Sequence, residues 1–326
     1  MTSITCVIPV YNEVESLPEL HRQIISVCEI NNYQYEIVFV DDGSNDSSWD
    51  CVLNLQKQDT NIKGIRFRRN FGKAAALNAG FKEATGSIVF TLDADLQDDP
   101  EEIPHFLELM ESESLDVISG WKKRRYDPWH KVGPSRIFNR MVSTLTKVKL
   151  HDHNCGFKCY RREVLEEVHL YGELHRFVPV LAAARGFKVG EIIVNHRKRQ
   201  FGHSKYGVRR IVKGFLDLLT VYMLTGYGHR PQHLLGTLGL ACFGASGCLT
   251  LGLSLHWILD RLFDVENPVH LHERAIFYFA LVGVIIGIQL LMTGFVAELV
   301  TKQTSRDEQI YAVCETIGTS KNEERS

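Results

Sequence analysis

The chain carries acidic side chains at a spacing that suits a divalent metal ion. Asp93 and Asp95 flank Ala94 in a short run that continues into Leu96-Gln97. Alternation along an extended strand sends the side chains of Asp93 and Asp95 the same way. Mg²⁺ and Mn²⁺ prefer oxygen ligands and commonly bind one or two carboxylates together with substrate phosphates. The pair is therefore a candidate metal site, although an Asp-x-Asp sequence alone is also frequent in surface turns.

Two further polar clusters occur where the sequence predicts strands to end. Tyr11-Asn12-Glu13 follows an apolar run at residues 4–10, and Asp41-Asp42 follows another at residues 36–40. Ligands of parallel sheets bind beyond the carboxyl ends of the strands. These clusters and the Asp93–Gln97 run are therefore expected to converge on one site. For the two aspartates of the second cluster, a simple polar turn is the alternative.

The elements that must position these residues alternate between strands and helices. The pattern predicts strands at residues 4–10, 36–40, 64–67, 87–92 and 116–120, and helices ending near Cys28 and covering residues 47–58 and 73–84. Such alternation implies a parallel sheet covered on both faces. The Gly-rich fingerprints of dinucleotide-binding folds and of phosphate-binding loops are missing from the sequence. Any bound phosphates must then be handled through a metal.

Composition limits the function of the whole chain. The 326 residues are 44% hydrophobic and 23% charged, and the formal net charge is −2. These values exclude a disordered chain and give no electrostatic case for nucleic-acid binding. Eight Cys residues are too few for a disulfide scaffold of this length.

Two long runs near the C-terminus lack charged residues. They cover residues 231–259 and 275–297, and each exceeds the roughly 20 residues that a helix needs to cross a bilayer core. A buried helical hairpin in a large soluble core is the alternative. Small residues would let the two helices approach closely: Gly236, Gly239, Gly244, Ala245, Gly247, Gly283 and Gly287.

The flanks of these runs predict their orientation. Residues 196–230 hold eight Lys or Arg side chains and one acid, whereas the connection at residues 260–274 holds more acids than basic side chains. The positive-inside rule places the N-terminal region and the C-terminal tail in the cytoplasm. Residues 208–224 carry apolar side chains at helical spacing, which predicts either a helix in the lipid headgroup layer or one packed on the soluble domain.

Several motifs resemble those of glycosyltransferase family 2, which has the GT-A fold: VIPVYNE, VDDGS, NFGKAAALNAG and TLDADLQDDP. Two later segments, GELHRFVPVLAAARGFKV and HRKRQFGHSKYG, are similar to its polyisoprenyl-phosphate branch. That branch includes dolichol-phosphate mannose synthases and bacterial undecaprenyl-phosphate sugar transferases. The resemblance implies a cytoplasmic catalytic domain with a mixed, mainly parallel sheet over residues 1–207. It further implies an interfacial helix or linker (208–230), a two-helix membrane domain (231–300) and a cytoplasmic tail (301–326).

The resemblance implies one set of residues that bind the nucleotide-sugar donor: Pro9, Tyr11, Glu13, Asp42, Lys73, Asp93, Ala94 and Asp95. Within this set Asp42 is expected to read an edge of the base. Asp93, Asp95 and Gln97 are expected to hold Mg²⁺ or Mn²⁺, which would neutralise the departing nucleoside diphosphate. These three residues and Glu173, which could hydrogen-bond sugar hydroxyls, form the expected catalytic set. A solvated helix face for Lys73 and a capping role for Glu173 are the alternatives.

The resemblance also implies a set of residues that bind the acceptor phosphate: Lys122, Arg176, Arg199, Ser204 and Lys205. Basic side chains attract an anionic lipid phosphate, although for several of them solvated charge explains the sequence equally well. Some relatives carry an Asp, proposed as a base, where this chain has Gly156, so that role cannot be transferred. A polyprenyl phosphate is already anionic at pH 7 and can attack without a base.

The implied function is inverting transfer of a sugar from a UDP- or GDP-linked donor to a polyprenyl phosphate. The reaction would occur at the cytoplasmic leaflet of the membrane, which in bacteria is the inner membrane. A separate flippase would then move the product, and the spans could pair in a homo-oligomer. The alternatives are a processive polysaccharide synthase, whose usual Gln-x-x-Arg-Trp motif is missing from this sequence, and a non-catalytic scaffold that binds nucleotide sugars.

Overall fold

The computed structural model describes residues 2–123, 129–168, 174–197, 209–227, 230–263 and 270–304. The chain forms two compact units, Met1–Thr225 and Gly226–Ser326. The boundary between the units falls within residues 208–230, the segment expected to be an interfacial helix or linker.

A seven-stranded sheet forms the centre of the first unit. Its strands are β1 (Ser3–Val10), β2 (Gln34–Asp41), β3 (Ile62–Arg66), β4 (Ile88–Thr91), β5 (Val117–Trp121), β6 (Lys158–Arg161) and β7 (Val189–Ile193). The order across the sheet is β3-β2-β1-β4-β6-β5-β7, and β6 is antiparallel to both of its neighbours while the other pairs are parallel. The five predicted strands are confirmed, with their ends shifted by one or two residues.

Helices cover both faces of this sheet, as predicted. They are α1 (Leu17–Ile30), α2 (Ser48–Gln58), α3 (Lys73–Glu83), α4 (Ile103–Ser112), α5 (Trp129–Thr146), α6 (Arg162–Glu167) and α7 (Val178–Ala184), and α8 (Arg209–Tyr227) follows. Side chains of α1, α2 and α4 pack against one face and those of α3, α6 and α7 against the other. In β1 the alternation sends Cys6 and Ile8 to the first face and Val7 to the second, which explains why both sets of positions are apolar.

Helix α8 packs on a smaller apolar cluster of the first unit. Leu218 and Val221 are buried there together with Val142 of α5 and Phe177, the last residue of the 3-10 turn Leu174–Phe177. The opposite side of α8 exposes Phe215, Leu216, Leu219 and Leu224. The helix predicted at residues 208–224 is therefore present, one of its faces packs on the soluble domain, and another apolar face remains exposed.

The second unit contains two long helices, α9 (Pro231–Leu262) and α10 (Ala275–Thr304). Both are long and apolar enough to cross a membrane, and only 6% and 11% of their most apolar stretches are buried within the described residues. This exposure contradicts the buried-hairpin alternative. A Cβ added at Gly239 would lie 2.8 Å from the carbonyl oxygen of Gly287, so these small residues do permit the close approach that the sequence predicts.

Candidate active site at the carboxyl ends of the strands

The loops after β1 and β2 interlock at the carboxyl edge of the sheet. The Asn12 N–H donates to Ser44 Oγ at 3.0 Å, and the Asn45 N–H donates to Asn12 Oδ1 at 2.8 Å. Glu13 donates its N–H to Ser48 Oγ at 2.9 Å. Asn12 adopts a left-handed conformation with φ 56°, which asparagine tolerates better than most residues. The predicted convergence of these two strand ends is confirmed.

Asp42 anchors the loop that precedes α3. Its Oδ1 accepts the N–H of Phe71 at 2.7 Å, and its Oδ2 accepts the N–H of Gly72 at 2.9 Å. Burial raises the pKa of this carboxyl, and the two N–H donors counteract part of that rise. Because each carboxylate oxygen has a second lone pair, Asp42 can hold this loop and still accept a hydrogen bond. Its contact with a base stays a prediction.

Asp41 stabilises the turn after β2. It is fully buried, its Oδ1 accepts the Ser44 N–H at 3.0 Å, and its Oδ2 lies 3.4 Å from Arg66 Nε. Gly43 adopts φ 72°, and a Cβ added there would lie 2.5 Å from the carbonyl carbon of Arg69. The turn interpretation therefore applies to Asp41, and the loop after β3 packs directly on this turn.

An open cleft of about 760 Å³ lies beside this turn. Its lining residues are Tyr11, Gly43, Ser44, Asn45, Arg66, Phe67, Arg68, Arg69 and Asn70. Of the expected donor residues Tyr11 lines this cleft, whereas Pro9 lies within β1 opposite Val40. The Arg69 guanidinium lies over the Phe71 ring at 4.5 Å. A wall of arginines and aromatic rings suits a nucleotide, whose phosphates are anionic and whose base can stack.

The acidic turn after β4 lies against the main core. Ala94 and Leu96 are buried in that core, Asp95 is also buried, and Asp93 is half-buried. Asp95 Oδ1 accepts the Gln97 N–H at 3.2 Å, which closes the turn. Leu96 adopts φ 60°, a conformation that costs a leucine roughly 1–2 kcal/mol. The packing of Leu96 in the core holds the turn in this shape.

Lys73, the first residue of α3, forms an ion pair with Asp93. Burial alone would raise the pKa of Asp93, but the charges of Lys73 and Lys122 hold it well below its usual range. The pKa of His175 is also well below its ordinary value, because burial and the nearby Lys73 charge disfavour the imidazolium. The structure therefore brings the expected donor residue Lys73 into contact with an expected metal ligand.

The loop before β6 packs directly against the same carboxylate. A Cβ added at Gly156 would lie 2.6 Å from Asp93 Oδ2, and the Gly156 carbonyl accepts a hydrogen bond from Thr91 Oγ1 at 2.7 Å. Lys158 donates to the carbonyl of Cys155 and, at 3.4 Å, to that of His153. Burial lowers the pKa of this lysine to about 8. A side chain at position 156 would therefore displace the Asp93 carboxylate.

Lys122 is paired within the protein rather than solvated. Its Nζ lies 2.9 Å from Asp98 Oδ1, and Asp98 Oδ2 accepts the Asp93 N–H at 3.3 Å. Burial would lower the pKa of Lys122, but the Asp98 carboxylate raises it above its ordinary value. The expected acceptor residue Lys122 therefore lies close to the acidic turn as a charged group, which is a suitable location for attracting a phosphate.

Of the remaining expected site residues, the structure describes only Arg176. Arg176 is buried, and a Cβ added at Gly214 of α8 would lie 3.7 Å from its Nη1. Four others lie outside the described residues, so their expected roles stay predictions: Glu173, Arg199, Ser204 and Lys205.

The donor atoms of the acidic turn fit Mg²⁺ or Mn²⁺. Asp93 and Asp95 supply carboxylate oxygens and Gln97 supplies an amide oxygen. Within the described ranges no group of three or more His, Cys, Asp or Glu side chains could hold a metal, so a site here would be completed by waters and substrate phosphates, as Mg²⁺ prefers. The Lys73 ammonium on Asp93 shows that this carboxylate accepts a cation.

Sequence reasoning missed three charged residues around this turn: Lys158, Asp99 and Arg197. Asp99 and Arg197 occur in quoted motifs, and Lys158 lies two residues after Gly156, but the sequence does not indicate which of these side chains form pairs. Asp99 and Arg197 form an ion pair of 2.5 Å. That pairing depends on β7 returning its carboxyl end to the acidic turn.

The chain matches the glycosyl transferase family 2 domain over residues 5–169. The chain belongs to glycosyl transferase family 2. Two curated relatives within this family cover nearly the whole chain. Dodecaprenyl-phosphate galacturonate synthase from Rhizobium johnstonii is 33% identical over 312 residues, which are 94% of this chain and 89% of the relative. Undecaprenyl-phosphate 4-deoxy-4-formamido-L-arabinose transferase from an Enterobacter species is 34% identical over 298 residues, 91% of this chain and 88% of the relative.

Solved structures support the fold of this family 2 protein. Glucosyl-3-phosphoglycerate synthase from Mycobacterium tuberculosis, in complex with Mn²⁺, uridine diphosphate and phosphoglyceric acid, superposes with a TM-score of 0.54 at 13% identity, covering 69% of this chain and 78% of that chain. The structure of the same enzyme with Mg²⁺ and uridine diphosphate superposes with a TM-score of 0.52 at 14% identity, covering 69% of this chain and 79% of that chain. At this identity the similarity concerns the fold alone, and the predicted GT-A fold is confirmed.

Proposed function

We propose that this protein transfers one sugar from a nucleotide sugar to a polyprenyl phosphate. The observation that carries the proposal is the contact of Asp93 with Lys73 at the carboxyl edge of the sheet, beside a cleft lined by arginines and Tyr11. Relatives whose names contain dodecaprenyl phosphate and undecaprenyl phosphate support the choice of acceptor. The neighbours that bind uridine diphosphate make a UDP-linked sugar the first donor to test, ahead of a GDP-linked one.

The residues of the acidic turn would hold the metal. Mg²⁺ or Mn²⁺ bound by Asp93, Asp95 and Gln97 would act as a Lewis acid on the departing diphosphate. Lys73 would add a second positive charge there once it moves from Asp93 to a phosphate oxygen. Asp42 would keep the loop before Lys73 in place by holding the N–H groups of residues 71 and 72.

The acceptor phosphate would not need a general base. Its phosphate oxygen forms a bond to the anomeric carbon while the bond from that carbon to the diphosphate breaks, and the configuration inverts. Because the phosphate is already anionic, no base has to remove a proton. This agrees with the glycine at position 156, beside Asp93, where some relatives carry an Asp proposed as a base. Lys122 and Arg176, with Arg199, Ser204 and Lys205, would bind the lipid phosphate.

The membrane would bring the acceptor to this site. Helices α9 and α10 would span the bilayer, and the exposed apolar side of α8 would lie in the headgroup layer. The product would then remain in the cytoplasmic leaflet, so its use on the other side requires a separate flippase. The spans could also pair in a homo-oligomer.

A transfer assay with purified full-length protein in detergent tests this function. Undecaprenyl phosphate, Mg²⁺ or Mn²⁺ and labelled UDP- or GDP-linked sugars would be supplied one donor at a time. We expect one donor to place label in the lipid phase, with one sugar per lipid. Asp95→Asn should lower the rate roughly a hundredfold or more, because metal charge stabilisation supplies several kcal/mol. Asp50→Asn, on the exposed side of α2, should leave it unchanged.

Other outcomes would favour the alternatives. A lipid-linked or free polymer would identify a processive synthase. Metal-dependent binding of UDP without transfer from any donor would point to another sugar or acceptor. If the protein binds no nucleotide, the proposed function is wrong, and the chain is a scaffold that keeps the fold without its donor binding.

A further inference from the structure

Arg197 and Asp99 form a charge-assisted pair next to the acidic turn. Arg197 Nε donates to Asp99 Oδ2 at 3.1 Å, and its Nη2 donates to Oδ1 at 2.5 Å. The third nitrogen, Nη1, donates to Gln23 Oε1 of α1 at 2.8 Å. The guanidinium thus uses its planar fork on the carboxylate and still contacts a helix, an arrangement that a lysine cannot reproduce.

This pair joins two segments whose backbones also meet. The Arg197 N–H donates to the Gln97 carbonyl at 2.9 Å, and Asp98 forms an antiparallel bridge with His196. The side-chain amide of Gln97 lies 3.4 Å from His196 Nε2 and 3.5 Å from the Arg197 carbonyl. An expected metal ligand therefore rests on the segment that Asp99 holds.

Asp99 is itself firmly positioned. Its Oδ1 accepts the Glu101 N–H at 3.1 Å, which caps the 3-10 turn Pro100–Glu102 at the start of α4, and its Oδ2 accepts from Asn195 Nδ2 at 3.3 Å. The Asn195 N–H in turn donates to Glu102 Oε1 at 3.1 Å. Only 6% of the Asp99 side chain is exposed, so water competes little for this contact.

We propose that Arg197 is a positioning residue for the transfer reaction. Through Asp99 it fixes the orientation of Gln97. Arg197 is also the residue that precedes residues 198–208 in the sequence, which carry the expected acceptor-binding residues. The contact therefore orders the expected metal-binding turn at the point of the chain where that segment begins. This role rests on the proposed function, since it assigns Arg197 to the same site.

Arg197→Lys and Asp99→Asn test this role in the full-length protein. Mn²⁺ binding would be measured by electron paramagnetic resonance of the free ion, with and without UDP, and KM and kcat would be measured for undecaprenyl phosphate. We expect each variant to weaken Mn²⁺ binding about tenfold, as substitutions of residues that orient metal ligands commonly do, and to raise KM for the lipid. The double variant should bind Mn²⁺ no more weakly than the more affected of the two single variants, because both substitutions remove the same contact between Arg197 and Asp99.

Two controls separate positioning from general stability. Arg22→Lys makes the same change on α1, at an arginine whose side chain is 68% exposed and paired with Glu19, and should leave every readout at the wild-type value. Gln23→Ala removes only the third contact of Arg197 and should weaken Mn²⁺ binding less than Arg197→Lys does.

The outcomes distinguish this role from the proposed function itself. If Arg197→Lys and Asp99→Asn lower the melting temperature but leave Mn²⁺ binding and KM at wild-type values, Arg197 is merely structural and the inference is overturned. Additive losses in the double variant would overturn it as well. If the wild-type protein neither binds Mn²⁺ with UDP nor transfers sugar, the proposed function fails, whatever the variants do.

Discussion

At the scale of single residues, the site brings opposite charges together, partly exposed at Asp93 and Lys73 and more deeply buried at Asp98 and Lys122. Asp93 lies against Lys73 and against the backbone at Gly156, and Lys122 is held by Asp98. Lys158 is buried within hydrogen-bonding distance of two backbone carbonyls. A buried ammonium is costly without a paired charge, and its lowered pKa of about 8 expresses that cost.

The pKa of Lys158 predicts how stability changes with pH. Because the folded pKa lies below the unfolded value of 10.5, the folded state holds fewer protons than the unfolded state between about pH 8 and 10.5. Raising the pH through this window therefore stabilises the fold, by about 1 kcal/mol per pH unit, or roughly 3 °C in a domain of this size. Lys158→Met removes this dependence.

Thermal melting of the full-length protein between pH 7.5 and 9.5 measures the effect. The melting temperature of the wild type, taken relative to that of Lys158→Met, should rise across this range. The same change at Lys82, an exposed residue of α3, should leave the pH dependence of the wild type intact. A constant difference between the wild type and Lys158→Met would contradict the burial of a charged lysine.

The sequence allowed part of this residue-level arrangement to be predicted. The sequence predicted that the loops after β1 and β2 meet, and the hydrogen bonds of Asn12 with Ser44 and Asn45 confirm it. The environment of Lys158 could not be foreseen, because it arises where an antiparallel strand returns between two strands distant in sequence. A single lysine in an otherwise apolar segment has no periodicity that would reveal its partners.

At the scale of elements, α8 is a helix with two apolar faces. Leu218 is buried in the small cluster of the first unit, whereas its neighbour Leu219 is 51% exposed. Periodicity predicted the helix itself, but it could not decide between packing and membrane contact, because both need apolar side chains at the same spacing. The short strand β6 left even less signal, since four residues are too few to establish a period of two.

The two adjacent leucines of α8 provide a matched test of its exposed face. Leu218→Asp places an unpaired charge in the apolar cluster and should lower the melting temperature by roughly 10 °C or more. Leu219→Asp should leave the melting temperature nearly unchanged but raise KM for undecaprenyl phosphate in proteoliposomes severalfold, because a charge there disfavours contact with the headgroup layer. Mn²⁺ and UDP binding should be unaffected by Leu219→Asp. An unchanged KM would argue that this face stays in water.

At the scale of the whole molecule, a unit built around the sheet is followed in the sequence by two helices able to span a bilayer. The apolar length of α9 and α10 was readable from the sequence because a span needs a long uncharged run. The prediction that the first unit lies on the cytoplasmic side rests on the charges that flank the helices, with eight basic side chains before α9. Topology is therefore a prediction that reporter fusions can check.

We expect alkaline phosphatase inserted after Glu266 to be active when the protein is made in bacteria, because that enzyme needs disulfides that form only outside the cytoplasm. The same reporter inserted after Arg230 should be inactive. A green fluorescent protein at the C-terminus should fluoresce. The reverse pattern would place the catalytic unit on the wrong side of the membrane for a cytoplasmic donor.

The place of β6 in the sheet affects the order in which the strands can assemble while the chain is being synthesised. Strands β1 to β4 are complete once residue 91 has left the ribosome, and they pair with one another. Strand β5 follows in sequence but cannot join them, because its neighbour β6 is synthesised some 40 residues later. Strands β1 to β4 can therefore assemble on the nascent chain before β6 arrives. The acidic turn follows β4 directly, but its contacts with Gly156 and Arg197 can form only after those later residues have been made.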